Sequence, residues 1–467
     1  MKKLLILLPD GVGLRNFAYT NFVDEAKKSG LEVVFWNNTK FDLNSLGLRS
    51  IPVPRNKFHI LSDLVKRAKI DLFLEHFAEI KKDEVYLSYK FKNKNKPLKS
   101  LIKNYSSFLF KFIFRIIGPL SAQKFLNFLE SNTDFYKACK NQLIKEKPDF
   151  IFSTNQRALS SLAPILAAKS LGIPTSAFIF SWDNLPKATM VVDTDYYFVW
   201  SEYMENELID YYSIGEEKIK VTGTTQFEPY YDSKNIIPKD EFYSQFGLNS
   251  DTKYICFSGD DITTSPFDPN YLRDLAELIQ DYNQSKGSNE KVGILFRRCP
   301  VDKSNRYDLV LEQFKEIIKP IDPEWRVVGE AWNEVMAMPN DIKLLVSSVY
   351  YSECVVNVGS SMVFDFANFD KPCFYINYEV DENKDLNWSI NQIYNYIHFR
   401  SMPDKQAVGW INSKADFFKA IHETRNSQKS MNVSITKKWF EIIVQHPVES
   451  SSKRIAKAIK SILEEQN

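Results

Sequence analysis

The sequence predicts an α/β protein of two Rossmann-like domains, each built on a parallel sheet, and three observations support this class. The chain of 467 residues is too long for one ordinary core, and two domains of roughly 200 residues are expected at that length. Short apolar runs recur without polar alternation, as in strands that are covered on both faces. Stretches with helical periodicity separate these runs, which is typical of crossover helices between parallel strands.

The expected strands form two sets along the chain. The first set is KLLILLP, LEVVFW, DFIFST, PTSAFIF and YYFVWS, and the second is KYICFSG, KVGILFRR, CVVNVG and PCFYIN. After Val221 a strand gives way to a stretch that contains Pro and Asp, where we expect the boundary. We place the first domain at 1–225, with a helical insertion at about 90–145, and the second at 240–435. Residues 436–467 are expected to form a C-terminal helix.

Composition and charge exclude several classes of protein. Sixty basic residues oppose 59 acidic ones, so a net charge of +1 creates no field that would attract nucleic acid. The sequence contains no run of about 18 apolar residues, so no transmembrane helix is expected. The opening MKKLLILLPDG is predicted to be a buried strand, because no cleavage site of small residues follows it. Five cysteines without CxxC spacing favour a reduced, cytoplasmic protein.

The segment from Lys90 to Arg115 contains eight Lys or Arg residues and no acid, and it becomes apolar from Leu101 onward. Two interpretations stay open. The segment is either a basic helix that lies on the inner face of an anionic membrane, or an inserted helix that packs on its own domain with solvated lysines.

The turn after the first expected strand reads PDGVGLRN and includes Asp10 and Gly11. Two of the three glycines of a dinucleotide fingerprint are present, but Asn16 occupies the third position, so a nicotinamide site is not expected. The turn lies at the carboxyl end of the sheet, where open α/β sheets bind ligands. Asp10 is either a general base for an acceptor hydroxyl or the cap of the following helix, and Gly11 is a candidate acceptor contact.

A second polar cluster, Ser181, Trp182, Asp183 and Asn184, follows the strand that ends at Phe180. A flat ring can stack on a sugar while carboxylate and amide groups bond its hydroxyls. Trp182 and Asn184 are therefore candidate acceptor contacts, and Asp183 is a second candidate base. The alternative is a tight turn whose tryptophan covers the domain edge.

No metal site is predicted. Asp193 and Asp195 have the spacing that metal-dependent sugar transferases use, but they precede a strand, whereas ligand loops follow strands. The five histidines have no metal-ligand spacing.

Three loops of the second domain are expected to meet at the carboxyl edge of its sheet. They carry a candidate set of donor-binding residues: Ser258, Gly259, Arg297, Arg298, Gly359, Ser360 and Ser361. Small residues at a helix start bind phosphate through unpaired amides, and arginine adds donors that suit a diphosphate. Asp365, one turn further on, is a candidate for the ribose hydroxyls. The alternatives are a capped helix and a solvated arginine pair.

Four stretches together resemble GT-B fold glycosyltransferases of bacterial surface polysaccharide synthesis. They are SWDNLP, YYFVWSEYMENELIDYYSIGEEKIKVTGTTQFE, ILFRRCP and VVNVGSSMVFDFANFDKPCFYINY. The last is also similar to the donor segment of CDP-glycerol glycerophosphotransferases. The resemblance implies two domains facing across a cleft, a nucleotide on the second domain, the acceptor on the first, no bound metal, and a terminal helix that crosses back. The family commonly has Arg-Pro-His-Pro where this chain has Arg297-Arg298-Cys299-Pro300.

We therefore expect a glycosyltransferase that moves a sugar from a nucleotide donor to a hydroxyl of a surface glycan or glycolipid. It is expected to invert, to need no cofactor beyond the nucleotide-sugar substrate, and to work in the cytoplasm, with or without peripheral membrane contact. Three other functions stay open: a polyol-phosphate transferase, a nucleotide-sugar 2-epimerase, and a non-catalytic scaffold of a polysaccharide assembly complex.

Overall fold

The computed structural model describes residues 1–55, 57–90, 98–118, 120–287, 290–327, 335–380, 388–424 and 431–465, with 98–106 and 431 described by their backbone alone. The chain divides into two compact units. Unit 1 comprises residues 1–225 and 443–467, and unit 2 comprises residues 226–442.

Unit 1 is built on a seven-stranded sheet in which every neighbouring pair is parallel. Its strands are β1 (Lys2–Leu8), β2 (Leu31–Asn37), β3 (Ser50–Pro52), β4 (Phe150–Ser153), β5 (Thr175–Phe178), β6 (Tyr196–Val199) and β7 (Ile219–Val221). They lie in the order β3-β2-β1-β4-β5-β6-β7. The central strands β1 and β4 are buried along nearly their whole length, which explains their continuous apolar sequence.

Nine helices of unit 1 lie within the described ranges. They are α1 (Gly11–Ala18), α2 (Phe22–Lys28), α3 (Ser62–Lys81), α4 (Leu98–Ile117), α5 (Leu120–Ser131), α6 (Asp134–Glu146), α7 (Leu162–Ser170), α8 (Glu202–Tyr212) and α17 (Ser451–Glu465). Phe17 of α1 packs edge-on against Phe152 of β4 and Phe178 of β5, with ring centroids 5.1 and 5.2 Å apart. This packing holds the start of α1 at the carboxyl edge of the sheet.

Unit 2 contains a six-stranded parallel sheet in the order β10-β9-β8-β13-β14-β15 and a separate antiparallel pair, β11 and β12. The strands are β8 (Lys253–Ser258), β9 (Val292–Arg297), β10 (Ile318–Pro320), β11 (Trp325–Val327), β12 (Val335–Ala337), β13 (Ser352–Asn357), β14 (Cys373–Ile376) and β15 (Gly409–Ile411). The helices are α9 (Lys239–Phe246), α10 (Asp268–Gln284), α11 (Asp308–Gln313), α12 (Pro339–Tyr350), α13 (Met362–Ala367), α14 (Ile390–Tyr394), α15 (Phe417–Glu423) and α16 (Met431–Ile443).

The predicted class, two α/β domains with parallel sheets, is confirmed. The C-terminal stretch differs from the single helix expected there. It forms α16 and α17, separated by residues 444–450. Pro447 lies in this gap, and proline has no backbone N–H to continue a helix. The predicted basic segment from Lys90 to Arg115 lies partly outside the described residues, since 91–97 and the side chains of 98–106 are not described.

Candidate functional site

The polar residues of unit 1 gather where β1, β4 and β5 end. These three strands are neighbours, with Leu7 beside Ser153 and Ser153 beside Ala177. The predicted residues Asp10 and Gly11 follow β1, and the predicted cluster at 181–184 follows β5. The loop after β4 lies between them, so the two predicted groups belong to one edge of the sheet.

Asp10 caps helix α1. Its Oδ1 accepts hydrogen bonds from the backbone N–H groups of Val12 (3.0 Å) and Gly13 (2.9 Å), and its Oδ2 accepts one from Asn155 Nδ2 (2.6 Å). Burial raises the pKa of Asp10, whereas these donors and the charge of Arg157 lower it in part. The carboxylate is buried and oriented on both oxygens, and its role as a base stays a prediction.

The glycines of this turn serve close packing. A Cβ atom at Gly13 would lie 2.2 Å from Thr154 Oγ1, so only glycine lets α1 approach the end of β4. Gly11 is the first residue of α1 and is buried. The third fingerprint position, Asn16, is also buried, and its backbone carbonyl accepts from Thr225 Oγ1.

The loop after β5 is packed rather than open. Trp182 is only 6% exposed, whereas stacking on a sugar requires an accessible ring face. Asn184 is also buried, and its Oδ1 accepts from Gln156 Nε2 (3.2 Å). Asp183 is half-buried, forms an ion pair with Lys187 and accepts from Asn184 Nδ2 (2.9 Å). Trp182 is therefore buried in this loop, and its role as an acceptor contact stays a prediction.

The loop after β4 was missed, although the same strand-end argument applies to DFIFSTNQR. The amide of Gln156 is buried and bridges two loops, because its Oε1 accepts from the backbone N–H of Phe180 (2.8 Å) and its Nε2 bonds Asn184. Burial lowers the pKa of the Arg157 guanidinium, and the charges of Asp183 and Asp10 oppose this shift. Arg157 thus interacts with both predicted carboxylates.

Glu207, on α8, was also missed. Its side chain is buried, and Oε2 has no hydrogen-bond partner within the part of the chain that the structure describes. Burial raises its pKa well above the ordinary value, and the charges of Asp183 and Asp210 raise it further. Arg157 thus interacts electrostatically with Asp10 and Asp183, and Asp183 with Glu207, and we call these three acids the carboxyl cluster. Nothing in the sequence MENELIDYY distinguishes a buried glutamate from a solvent-exposed one.

The three predicted loops of unit 2 meet as expected. Their strands β9, β8 and β13 are adjacent, with Ser258 beside Arg297 and Phe257 beside Val356. The backbone N–H of Gly259 donates to the carbonyl of Arg297 (2.9 Å), which joins the first two loops. A Cβ atom at Gly259 would lie 2.6 Å from Tyr307 Oη, so the residue must be small.

Arg297 is buried and paired, not solvated. Its Nη2 donates to Asp341 Oδ1 (2.7 Å), and Asp341 also accepts from the backbone N–H of Glu324 (2.8 Å) and from Trp325 Nε1 (2.7 Å). Burial opposes ionisation of Asp341, but Arg297 brings its pKa below the ordinary value. The Nη1 group of Arg297 is buried and has no hydrogen-bond partner among the described residues. This donor is therefore available to an anion.

Arg298 is held in a different way. Its Nε lies 2.9 Å from Asp322 Oδ1, and its Nη1 donates to the carbonyl of Ser304 (3.2 Å). The guanidinium lies over the ring of Tyr307, 5.6 Å from the centroid. Both predicted arginines thus have protein partners, and their donor-binding role stays a prediction.

The third loop begins at Gly359, which has a φ of +65°. A Cβ atom there would lie 3.0 Å from Phe399, so conformation and space both require glycine. The backbone N–H of Ser360 donates to Asn357 Oδ1 (2.8 Å), and Ser361 precedes the six-residue helix α13. Asp365 is only 4% exposed and accepts from Tyr230 Oη (2.7 Å), a partner that the sequence did not reveal.

A buried polar network beside the first loop was not predicted. Arg306 donates to the carbonyls of Asp260 (2.6 Å) and Ser265 (2.6 Å) and to Asp302 Oδ2 (2.7 Å). Burial and two neighbouring carboxylates raise the pKa of Asp260 to about 8, and burial raises that of Asp268 to about 6. This network ties the loop after β8 to Arg306 and places ionisable groups next to Gly259.

Two other features of the described residues are relevant to chemistry: possible metal-binding groups and one further cavity. No group of three or more His, Cys, Asp or Glu residues within the described ranges has a metal-binding arrangement. A cavity of about 460 Å³ in unit 1 is lined by Lys169, Asp193, Asp195 and Lys218, among others. It lies at the amino end of β6, the edge opposite the strand ends described above, and Lys169 forms ion pairs with both aspartates.

Solved structures match this fold over the whole chain. The S. aureus MnaA–UDP co-structure gives a TM-score of 0.56 at 13% sequence identity, covering 99% of this chain and 97% of that one. The UDP-GlcNAc 2-epimerase from Methanocaldococcus jannaschii gives 0.53 at 14% identity, covering 99% and 100%. The glycosyltransferase from Rickettsia africae ESF-5 gives 0.53 at 11% identity, covering 100% and 99%.

The chain shares its fold with these enzymes. No protein-family model matches the sequence, and no curated protein matches it. At such low identities the likeness concerns the fold and not the reaction. A GT-B-like fold with two parallel-sheet α/β domains is thus supported, and the particular transferase family that the motifs resemble is not established.

Proposed function

We propose that this chain is an enzyme that acts on a UDP-activated sugar and binds the nucleotide through the three loops of unit 2. The observation that carries the proposal is the buried Nη1 of Arg297, which has no hydrogen-bond partner among the described residues. Arg297 ends β9, the adjacent strand β8 leads into Gly259, and β13, on the other side of β8, leads into Gly359. A diphosphate would supply the missing acceptor. The choice of UDP rests on two comparison structures, the MnaA–UDP co-structure and the UDP-GlcNAc 2-epimerase.

The first candidate reaction is epimerisation at C2 of the sugar. Inversion at this carbon requires one group that removes a proton and another that delivers one. The carboxyl cluster of unit 1 offers Asp10 and Glu207, both with raised pKa values, together with Asp183. Burial favours the protonated form of both acids, so one can deliver a proton while another removes one, which supports this reaction over one that needs a single base.

The second candidate is glycosyl transfer to a hydroxyl. It is favoured by the resemblance of SWDNLP, residues 181–186, to transferases, and by the glycosyltransferase among the comparison structures. In this reaction Asp10 would accept the acceptor proton, with Asp183 as the second candidate, and inversion at the anomeric carbon is expected. In neither reaction do we assign a metal, so EDTA should leave the rate unchanged.

The first experiment is a thermal-shift screen of UDP, CDP, GDP and CMP. UDP is expected to stabilise the chain by about 2.7 kcal/mol at about a hundredfold excess over Kd. A shift with CDP alone would favour the polyol-phosphate transferase. No shift with any nucleotide would overturn the proposal and favour the scaffold.

The second experiment separates the two reactions. UDP-GlcNAc is incubated with the chain in D2O and followed by ¹H NMR. Epimerisation must break the C2–H bond, so a new anomeric signal should appear from a product that carries deuterium at C2. Release of UDP only when a hydroxyl acceptor is added would instead identify transfer.

Asp10→Asn tests the proposed base. Asparagine is a good helix cap, so the variant should fold and bind UDP with unchanged affinity. Turnover should fall by roughly 100-fold or more, because the proton acceptor is gone. Full activity would remove Asp10 from the mechanism. Asp24→Asn, at an exposed position of α2 in the same unit, is a matched control.

A further inference from the structure

Helices α4 and α5 each expose large apolar side chains, and we call these side chains together the apolar face. Its members are each 40% to 70% exposed. They are Phe108, Leu109, Phe112, Ile113, Ile116 and Ile117 on α4, and Leu120 and Phe128 on α5. The α4 residues recur at helical spacing, and Leu120 and Phe128 are two turns apart, so each set forms one stripe.

This exposure does not result from poor packing of the two helices. Both contact α3, and Phe114, Ala122 and Leu126 are buried on their packed side. Phe114 lies 5.9 Å from the ring of Phe125, which joins α4 to α5. The hairpin therefore has a core contact on one side and an apolar stripe on the other. Monomeric soluble proteins rarely leave so many large apolar side chains together in water.

The sequence of residues 85–129 contains nine basic residues and no Asp or Glu. Four of the nine, Lys90, Lys111, Arg115 and Lys124, have described side chains. Glu75 on α3 pairs with three of them, Lys90, Lys111 and Arg115. Burial opposes its ionisation, but these cations bring the pKa of Glu75 down to about 2. Asp71, also on α3, interacts with Lys111 and Lys90, so two carboxylates face these three cations and a positive excess remains.

We propose that the apolar face docks on an anionic phospholipid bilayer, with α4 lying in the plane of the interface. The apolar stripe would enter the acyl boundary, and the cations would meet the phosphates. No helix in the described ranges is long and apolar enough to cross a membrane, which fits a helix that lies flat. This inference does not depend on the reaction proposed above.

The charge argues against a second copy of the chain as the occupant. A two-fold interface brings the same surface of both copies together, so the cations of one face would meet those of the other. Like charges across an interface disfavour association. A phospholipid surface offers negative charge and an apolar interior at once, which complements both properties of the face.

The test is sedimentation of the full chain with vesicles of phosphatidylcholine, with or without about 30% phosphatidylglycerol. We expect binding to the anionic vesicles that weakens at least tenfold when salt rises from about 0.1 M to about 1 M. Phe112→Asp and Ile116→Asp should each weaken binding roughly tenfold or more by removing buried apolar area. Lys124→Ala should weaken it about fivefold.

Matched controls lie on unit 2. Leu309 on α11 is 88% exposed, and Leu309→Asp should leave vesicle binding unchanged. Lys315→Ala controls for the loss of one exposed cation. Far-UV circular dichroism checks that each variant is folded. As a second readout, an environment-sensitive dye on Ile116→Cys should brighten with anionic vesicles, and the same dye on Leu309→Cys should not.

Three results would overturn the inference. The first is no binding to anionic vesicles at low salt. The second is binding that Phe112→Asp and Ile116→Asp leave unchanged while the dye at residue 116 stays dim. The third is a dimer in light scattering that Ile116→Asp dissociates, without vesicle binding by the native chain, which would assign the face to a second copy.

Discussion

Arg297 and Asp341 form a buried ion pair, and replacing only one partner is expected to destabilise unit 2. Asp341 accepts hydrogen bonds from Arg297, from the backbone N–H of Glu324 and from the indole N–H of Trp325. Arg297→Met deletes the cation of this set and leaves the two neutral donors. An uncompensated carboxylate would then stay buried. The expected loss is about 3–5 kcal/mol in the free energy of unfolding of unit 2.

The matched variant is the double change Arg297→Met with Asp341→Asn. The amide is neutral and still accepts from Trp325 or Glu324, so about 2 kcal/mol of the loss should return. The ion pair also has a pH signature. Since the folded pKa of Asp341 is lowered, its contribution is present above the unfolded pKa and is lost as pH falls through the folded value.

Urea unfolding with hydrogen-exchange mass spectrometry on peptides from β9 and α12 would measure this loss. Peptide resolution matters because two units need not unfold together. Two results would refute the reasoning: a cost below about 1 kcal/mol for Arg297→Met, or a double variant that is no more stable than the single one.

Three further predictions follow from the site. Burial raises the folded pKa of Glu207, so this glutamate destabilises the native chain once the pH exceeds its unfolded pKa. Above that pH, Glu207→Gln should be more stable than the native chain, by up to about 1.4 kcal/mol per pH unit. Thermal melts from acid to neutral pH test this. Gly359→Ala should cost about 2 kcal/mol or more, whereas Gly247→Ala, with a similar φ of +60° but no atom within 4 Å, should cost only about 1 kcal/mol in the same urea assay. Joint replacement of Ser360 and Ser361 by Ala should weaken UDP binding in calorimetry far more than it lowers the melting temperature, and the opposite result would make this turn purely structural.

The strand ends were predictable because buried parallel strands are continuously apolar and their loops share one edge. The short strands β10 and β15 were not, since three residues carry no period and lie at the sheet edges. Pro447 indicates a break between α16 and α17, but the polar-apolar pattern continues on both sides of it and favoured a single helix.

The contacts that could not be predicted join residues that are far apart in the sequence. Arg297 and Asp341 are 44 residues apart, and Tyr230 and Asp365 are 135 apart, so neither pair leaves a local pattern. The burial of Trp182 was likewise not visible in SWDNLP. In contrast, Asn155, Gln156 and Arg157 follow β4 directly, and the rule that located Asp10 would have located them.

Asp10 combines the start of α1 with the proposed proton acceptor. Natural selection for an intact helix would retain a capping side chain at this position even in a descendant that had lost its chemistry. Aspartate there would therefore not reveal whether a related chain is active. Asparagine would, because it caps equally well and accepts no proton. A relative with asparagine at this place is expected to keep the fold and the nucleotide site while serving as a binding protein.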